Sequence, residues 1–373
     1  MRLSLAMGIA LSIAHLNLLP CCGFASDTSK KPEAKRPPFD LTYVPPDAMG
    51  VIAIRPSAIF GNSAMKPLAG MANQGLAELR RCLKLSADPK LPIEDIEEIV
   101  ASISKLYSKT KGKRSTDGVM CGLVMIRAKR DFDWLKVMRQ LDPKTEEIQQ
   151  EGRVYYRSHY PKLFGNATPS SKATFCFFIP DKRTVACLEG KTLTAFLNDP
   201  NVQRPNFSCD EDWKRVEHGL IAVAVDKRWA DGMPKQIGDG LVPVWPAIVR
   251  NAPRLVAGVD WMDRIDFQAF LICKDKKAAT RLRRDVRDVL GLMRFEMDPA
   301  AEHMFEAETS PQKSEPKSLP PEVALQERLW ENLMKHTHVT RQENTVCVHT
   351  ATKLTIIDLV KLFMFEPPRQ QKP

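Results

Sequence analysis

The sequence predicts an α+β fold made of two similar sheet-and-helix halves, with mostly antiparallel or mixed sheets. Two observations support this fold class. Short segments of one half recur in the same order in the other half, which indicates internal duplication. Neighbouring strands are joined by short turns, as around Asp263 and Arg264, and such turns favour antiparallel pairing over parallel crossovers. Each half reads as strand, helix, two adjacent strands, helix, hairpin and closing helix.

The recurring segments are short apolar patterns that share residue types and order. Any one match is weak, but four in the same order are typical of a duplicated chain. The four pairs are residues 50–54 with 219–223, 99–103 with 255–259, 119–127 with 267–274, and 184–187 with 345–348.

The first 25 residues have the features of an export signal. Arg2 supplies a basic start, residues 3–19 are apolar but too short to span a bilayer stably, and Gly23 and Ala25 suit signal cleavage after Ala25. Cys21 and Cys22 raise a lipoprotein alternative, which the residues before them disfavour. We therefore divide the chain into a signal peptide (1–25), a Lys/Pro-rich linker (26–42), a first half (43–205), a second half (206–366) with a mobile loop at 298–322, and a tail (367–373).

Composition indicates a globular protein with a net positive charge. The chain has 373 residues, 43% of them hydrophobic, and a net charge of +10. No later stretch reaches 18 consecutive apolar residues, so we expect the mature chain to lack a spanning helix and to be periplasmic or extracellular, soluble or held peripherally at a membrane. The charge favours anionic partners, but export and an aromatic content of 7% weigh against nucleic acid.

Cys176 and Cys187 are the cysteine pair best placed for a disulfide. If residues 175–179 and 184–188 are strands joined by a four-residue turn, the two cysteines lie opposite each other, and an oxidising compartment permits the bond. The alternative is two small apolar residues in a buried hairpin. Nine cysteines less the two in the signal leave an odd number, and hence at least one free thiol.

The candidate metal ligands are His336, His338, Cys347 and His349. In a hairpin with an even-numbered turn, alternation places all four on one face and three valines on the other. A two-residue turn at Glu343–Asn344 sets His338 directly against His349. Imidazole and thiolate ligands suit zinc or copper. The alternative is that the histidines form the solvated reverse of a buried valine face.

Residues 274–295 are predicted to form an amphipathic helix with one apolar stripe. Its other side is basic and could meet phosphates, acidic glycans or an acidic partner, while the alternative is an ordinary solvated face. The basic residues are Lys277, Arg281, Arg283, Arg284 and Arg287.

Other catalytic signals are weak. The acidic run at 94–98 lacks the alternating ligands and glycine of a calcium loop, which favours a charged helix start or strand edge after Pro92. The chain contains no GxxxxGK[ST], GxGxxG, GxSxG or HExxH motif, so common nucleotide-binding, serine-hydrolase and zincin mechanisms lose their usual support.

The opening YVPPDAMGVIAIRP, at residues 43–56, resembles that of a group of uncharacterised exported bacterial proteins with duplicated α+β organisation. This resemblance implies no activity and transfers no functional residue. We therefore expect a non-catalytic binding or structural component of the cell envelope, whose partner or ligand the sequence does not identify. Two alternatives remain: a metal-assisted hydrolase that uses the His/Cys face, and a peripheral binder of acidic glycan or lipid.

Overall fold

The fold is described from a computed structural model, which covers fourteen strands and the 21-residue helix at Lys276–Glu296. The signal peptide, linker residues 26–35, the boundary at 205/206, the loop at 298–322 and the tail lie outside the described residues. Those described are 36–61, 69–70, 72–74, 77, 91–105, 108–110, 113–115, 119–150, 152–158, 175–189, 193, 211–228, 248, 251–261, 264–296, 328–329 and 331–354.

The described elements are mostly strands. The helices whose bounds are fully described are α1 (Pro56–Phe60), α2 (Trp134–Leu141), α3 (Glu211–Val216) and α4 (Lys276–Glu296), with a 3-10 turn at Ile93–Asp95. Residues 72–74 and 331–335 are also helical. The strands are β1 (Gly50–Ile54), β2 (Ile96–Lys105), β3 (Ser108–Thr110), β4 (Lys113–Ser115), β5 (Val119–Ala128), β6 (Glu146–Gln150), β7 (Arg153–Ser158), β8 (Phe175–Asp181), β9 (Thr184–Glu189), β10 (Ile221–Asp226), β11 (Arg254–Trp261), β12 (Ile265–Ile272), β13 (His338–Gln342) and β14 (Thr345–Thr352).

Twelve of these strands form one sheet, in the order β13-β14-β12-β11-β10-β1-β2-β5-β9-β8-β7-β6, and β3 pairs with β4 in a separate ribbon. The registered pairs are antiparallel, as the short turns predicted. The predicted division into two sheet-and-helix halves by duplication is wrong, because the strands expected to open two sheets are neighbours in one. β1 pairs with β2 along one edge and with β10 along the other. That arrangement satisfies the backbone groups on both edges of β1.

The described residues divide into two compact units. The first unit contains residues 36–228 and 254–258, and the second contains residues 248–253 and 259–354.

The first unit buries side chains on both faces of its strands. Val51, Val100 and Met125 are fully buried on one face. Side chains alternate along a strand, so Val185 and Cys187 of β9 point to the opposite face. There they pack with side chains of α2 and β8, in a cluster of Ala128, Trp134, Met138, Phe177, Val185 and Cys187.

The structure corrects the predicted register of the β8–β9 hairpin by one residue. Cys176 lies opposite Leu188, and Phe177 lies opposite Cys187. The turn is two residues long, with Asp181 opposite Thr184, and β8 contains an irregularity between Phe178 and Asp181. Pro180 lies in that interval and has no N–H to donate, which favours a bulge there. The two cysteines therefore point to opposite faces and are not joined by a disulfide.

In the second unit, α4 packs against β13 and β14. The buried residues of this helix include Ala278, Leu282, Val286 and Leu290, which confirms the predicted apolar stripe. The guanidinium groups of Arg283 and Arg287 donate to the carbonyl of Val339, at 3.4 and 3.2 Å. Val339 is 3% exposed, and because side chains alternate along β13, the exposed His338 lies on the opposite face of the strand.

Candidate functional site

The β13–β14 hairpin has the two-residue turn that the sequence predicts. Glu343 and Asn344 form it, and Glu343 has a positive φ of 49°. Asn344 also anchors the turn, since its side chain donates to the carbonyl of Cys273 at 3.1 Å. His338 consequently lies directly opposite His349, and this predicted register is confirmed.

The four predicted metal ligands are not equally placed. His338 is exposed and the side chain of His349 is 39% exposed, whereas Cys347 is buried at 7%. His336 precedes β13 and is not part of the strand pairing. Within the described ranges, no group of three or more His, Cys, Asp or Glu side chains is arranged to hold a metal ion. The structure thus pairs His338 with His349, buries Cys347 and places His336 before the start of β13.

A carboxylate that the sequence analysis missed lies beside this pair. The Oδ1 atom of Asp266 is 3.0 Å from Nε2 of His349, and its side chain is 27% exposed. Gln268, directly opposite His349 in the β12–β14 ladder, donates to the same oxygen at 3.4 Å. Asp266 is 83 positions from His349 in the chain. Only the adjacency of β12 and β14 brings them together.

The predicted basic helix face separates into two groups. Arg283 and Arg287 bind the Val339 carbonyl, as described above. Lys277, Arg281 and Arg284 are exposed, and no hydrogen bond or ion pair to another described residue holds their charged ends. Their spacing of four and three residues places them in one row about 10 Å long. We call these three residues the basic row.

The helix as a whole adds to the positive charge of this surface. The sequence of Lys276–Glu296 contains seven basic and three acidic residues, a formal net charge of +4. Arg341 lies beside the start of α4, where its guanidinium donates to the hydroxyl of Thr280 at 3.0 Å. A multivalent anion would therefore meet several cations held on one rigid helix.

A cleft lies between α4 and β13 within the second unit. Arg287, Leu290 and Gly291 line its helix side, and Thr337, His338 and Val339 are among the residues on its other side. Its lining includes apolar side chains and one arginine. His338 belongs both to this lining and to the His338–His349 pair.

In the first unit, a buried carboxylate holds the chain segment that precedes β1. Glu98 is only 5% exposed and accepts a hydrogen bond from the backbone N–H of Asp40 at 2.8 Å. Burial raises the pKa of the Glu98 carboxyl above its ordinary value. Asp40 in turn binds Arg127 at 2.5 Å. Burial opposes ionisation of Asp40, but hydrogen bonds from Thr42 and Arg127 outweigh it and lower the pKa of that carboxyl.

The neighbouring charges of the first unit also have internal partners. Glu97 forms an ion pair with Arg183, and Lys182 lies 3.7 Å from Asp131. These groups line a surface depression together with Arg127. The acidic run at 94–98 therefore supplies the 3-10 turn and the start of β2, as the sequence interpretation favoured.

Two of the four cysteines whose side chains the structure describes are poor nucleophiles. Cys176, Cys187, Cys273 and Cys347 are all buried. Burial raises the pKa of the Cys176 thiol, and burial together with the charge of Asp275 raises that of Cys273 to about 11. At neutral pH these two thiols are protonated, and the thiolate is the reactive form.

Comparison with known proteins gives a distant structural likeness. No model of a known protein family matches the sequence, and no curated protein matches it. Crystal form III of TP0453 is similar with a TM-score of 0.38 and 8% identity, covering 88% of this chain and 99% of that one. Crystal form I gives 0.36 and 9%, covering 88% and 97%. A likeness at this level supports no statement about function.

No helix in the described part of the chain is both long and apolar enough to cross a membrane. The 21-residue helix α4 is amphipathic, with its apolar stripe buried against the strands.

Proposed function

We propose that this protein is an exported, non-catalytic binding component of the cell envelope that holds acidic glycan or lipid through the basic row. The predicted export signal is the reason for the envelope location. The observation that supports the binding role is the exposure of Lys277, Arg281 and Arg284 on one side of α4, without partners among the described residues.

The way α4 is anchored makes this row suited to binding. Its apolar stripe is buried, so the helix contributes its cations without having to fold or insert when an anion arrives. Near an anionic lipid surface each such cation contributes about 1 kcal/mol. Three cations then contribute about 3 kcal/mol, which corresponds to roughly a 100-fold change in the binding constant.

Three exposed cations of the first unit differ from the basic row in having a carboxylate partner. In the first unit, Arg130 binds Asp95, Lys182 lies beside Asp131, and Lys214 binds Glu211, although all three cations are at least half exposed. They provide a matched control, because their removal changes the net charge equally at sites that already have a counter-ion.

The experiment measures binding of the mature chain to phosphatidylglycerol vesicles, phosphatidylcholine vesicles and alginate. The test variant is K277Q/R281Q/R284Q, and the control is R130Q/K182Q/K214Q. Each removes three positive charges. We expect the wild type to bind an anionic probe at low salt and to release it as salt rises, because screening shortens the reach of these charges to about 10 Å at 0.1 M.

The two triple variants decide the outcome. The proposal predicts roughly 100-fold weaker binding for the test variant and a few-fold effect at most for the control. Equal losses would mean that net charge, and not the basic row, drives association. Absence of binding to any anionic probe, or equal binding to phosphatidylcholine, would also overturn the proposal. The vesicle and alginate arms distinguish lipid from glycan.

A further inference from the structure

We infer that His338 and His349 form a chelating pair for a divalent transition-metal ion, with Asp266 as the residue that orients His349. This site is independent of the basic row and would remain if anion binding failed. It needs two imidazole ligands from the protein, with water completing the coordination. It therefore differs from the closed four-ligand site that the sequence suggested.

The strand register brings the two imidazoles within reach of one ion. In a hairpin closed by a two-residue turn, Gln342 and Thr345 form the first hydrogen-bonded pair, and such pairs recur at every second position. His338 and His349 are again such a pair, so their Cα atoms lie about 5.5 Å apart and their side chains share a face. The donation from Arg283 and Arg287 to the Val339 carbonyl fits this register, because that carbonyl must point away from β14.

Asp266 supplies the interaction that metal-binding histidines commonly make with a carboxylate. A ligating histidine usually donates its second ring N–H to a carboxylate or carbonyl, which fixes its tautomer and makes it a better ligand. Nε2 of His349 lies 3.0 Å from the carboxylate of Asp266. With the proton on Nε2, the lone pair of Nδ1 remains for the metal. Gln268 bonds to the same carboxylate oxygen and helps to hold it in place.

The ligand set determines the metal. Imidazole nitrogens suit copper and zinc, and for a given nitrogen site Cu²⁺ binds more tightly than Zn²⁺. Cys347 is excluded as a ligand here because it is buried, and a thiolate that cannot reach the ion adds nothing. We therefore expect a water-accessible site with Cu²⁺ affinity above Zn²⁺ affinity.

The test is isothermal titration of the tag-free mature chain with Cu²⁺ and, separately, with Zn²⁺. The variants are H338A, H349A, D266N and H336A. His336 is the matched control, because it is two positions from His338 and is not part of the strand pairing. Circular dichroism of each variant confirms that it is folded, which is expected since His338 and His349 are at least partly exposed.

We expect one Cu²⁺ site in the wild type and in H336A, and at least a tenfold loss of affinity in H338A and in H349A. D266N should retain the site with affinity reduced 10- to 100-fold. Metal uptake that persists in the H338A/H349A double variant, or an H336A variant as weak as H338A, would overturn the proposed pair. Unchanged affinity in D266N would overturn the role of Asp266. None of these outcomes depends on anion binding.

Discussion

Gly258 of β11 packs directly against Val216 of α3, and alanine at this position should destabilise the first unit. An ideal Cβ on Gly258 would stand 2.6 Å from Cβ and 2.8 Å from Cγ1 of Val216. Carbon atoms in ordinary contact are about 3.5–4.0 Å apart. The helix must therefore retreat by about 1 Å, and since Cβ of Val216 is fixed to the backbone, a change of rotamer cannot relieve the contact.

The structure allows the cost to be bounded. Overpacking of a buried site costs about 1–3 kcal/mol, and the upper part of that range applies when the obstructing atom cannot move alone. Replacing a strand glycine by alanine returns about 0.5–1 kcal/mol through reduced unfolded-chain entropy. We therefore expect Gly258→Ala to lower the free energy of unfolding by about 2 kcal/mol. Trp213, which is 1% exposed in the same helix, should become more accessible.

The assay is urea unfolding followed by circular dichroism, with native tryptophan fluorescence as a second signal. Val216→Gly removes both obstructing atoms, so G258A/V216G should cost less than the sum of the two single variants, by more than about 1 kcal/mol. Gly291→Ala is the matched control, because nothing lies within 4 Å of its added methyl and α4 should gain up to about 1 kcal/mol. Additive costs, or a G258A variant within about 0.5 kcal/mol of wild type, would refute the close-packing argument.

Two further predictions concern the first unit. Because the pKa of Glu98 is raised in the folded state, the unfolded chain gives up this proton first, and the contribution of Glu98 to stability falls as pH rises above its ordinary value of 4.5. The free energy of unfolding of Glu98→Gln minus that of wild type should therefore rise with pH, as measured by urea unfolding across the pH range, and a difference that falls with pH would contradict the assignment. Asp133 accepts a hydrogen bond from the N–H of Lys136 at 2.9 Å and caps α2, so Asp133→Ala should cost about 1 kcal/mol in the same assay. Asp131→Ala, beside the cap but outside the helix, should leave the unfolding midpoint nearly unchanged, and equal losses would argue against capping.

The features that sequence analysis predicted correctly are local ones. The turn at Glu343–Asn344 and the apolar stripe of α4 are determined by residues close together in the chain, and both agree with the structure. The prediction of the β8–β9 register was wrong for an equally local reason. One extra residue near Pro180 shifts the pairs beyond it by one position, and this shift places Cys176 and Cys187 on opposite faces. The prediction of two separate sheets was wrong for a different reason. The pairing of β1 with β10 joins segments more than 160 residues apart, and no short-range pattern specifies which strand completes an open edge.

The basic face of α4 depends both on local sequence and on contacts with a distant strand. Variants of its arginines must therefore be interpreted with both in mind. The basic side chains of α4 look alike in sequence, yet Arg283 and Arg287 bind the carbonyl of Val339 on β13, the last strand in the sheet order, while the basic row faces solvent. No other strand among the described residues pairs with the outer edge of β13. An unpaired edge strand invites pairing with another chain, and cationic side chains over it oppose such pairing. Substituting Arg283 and Arg287 would therefore weaken protection of that edge and promote association between copies. The resulting loss of soluble protein would resemble a loss of anion binding. Variants confined to Lys277, Arg281 and Arg284 leave the edge contacts intact, and so they test anion binding alone.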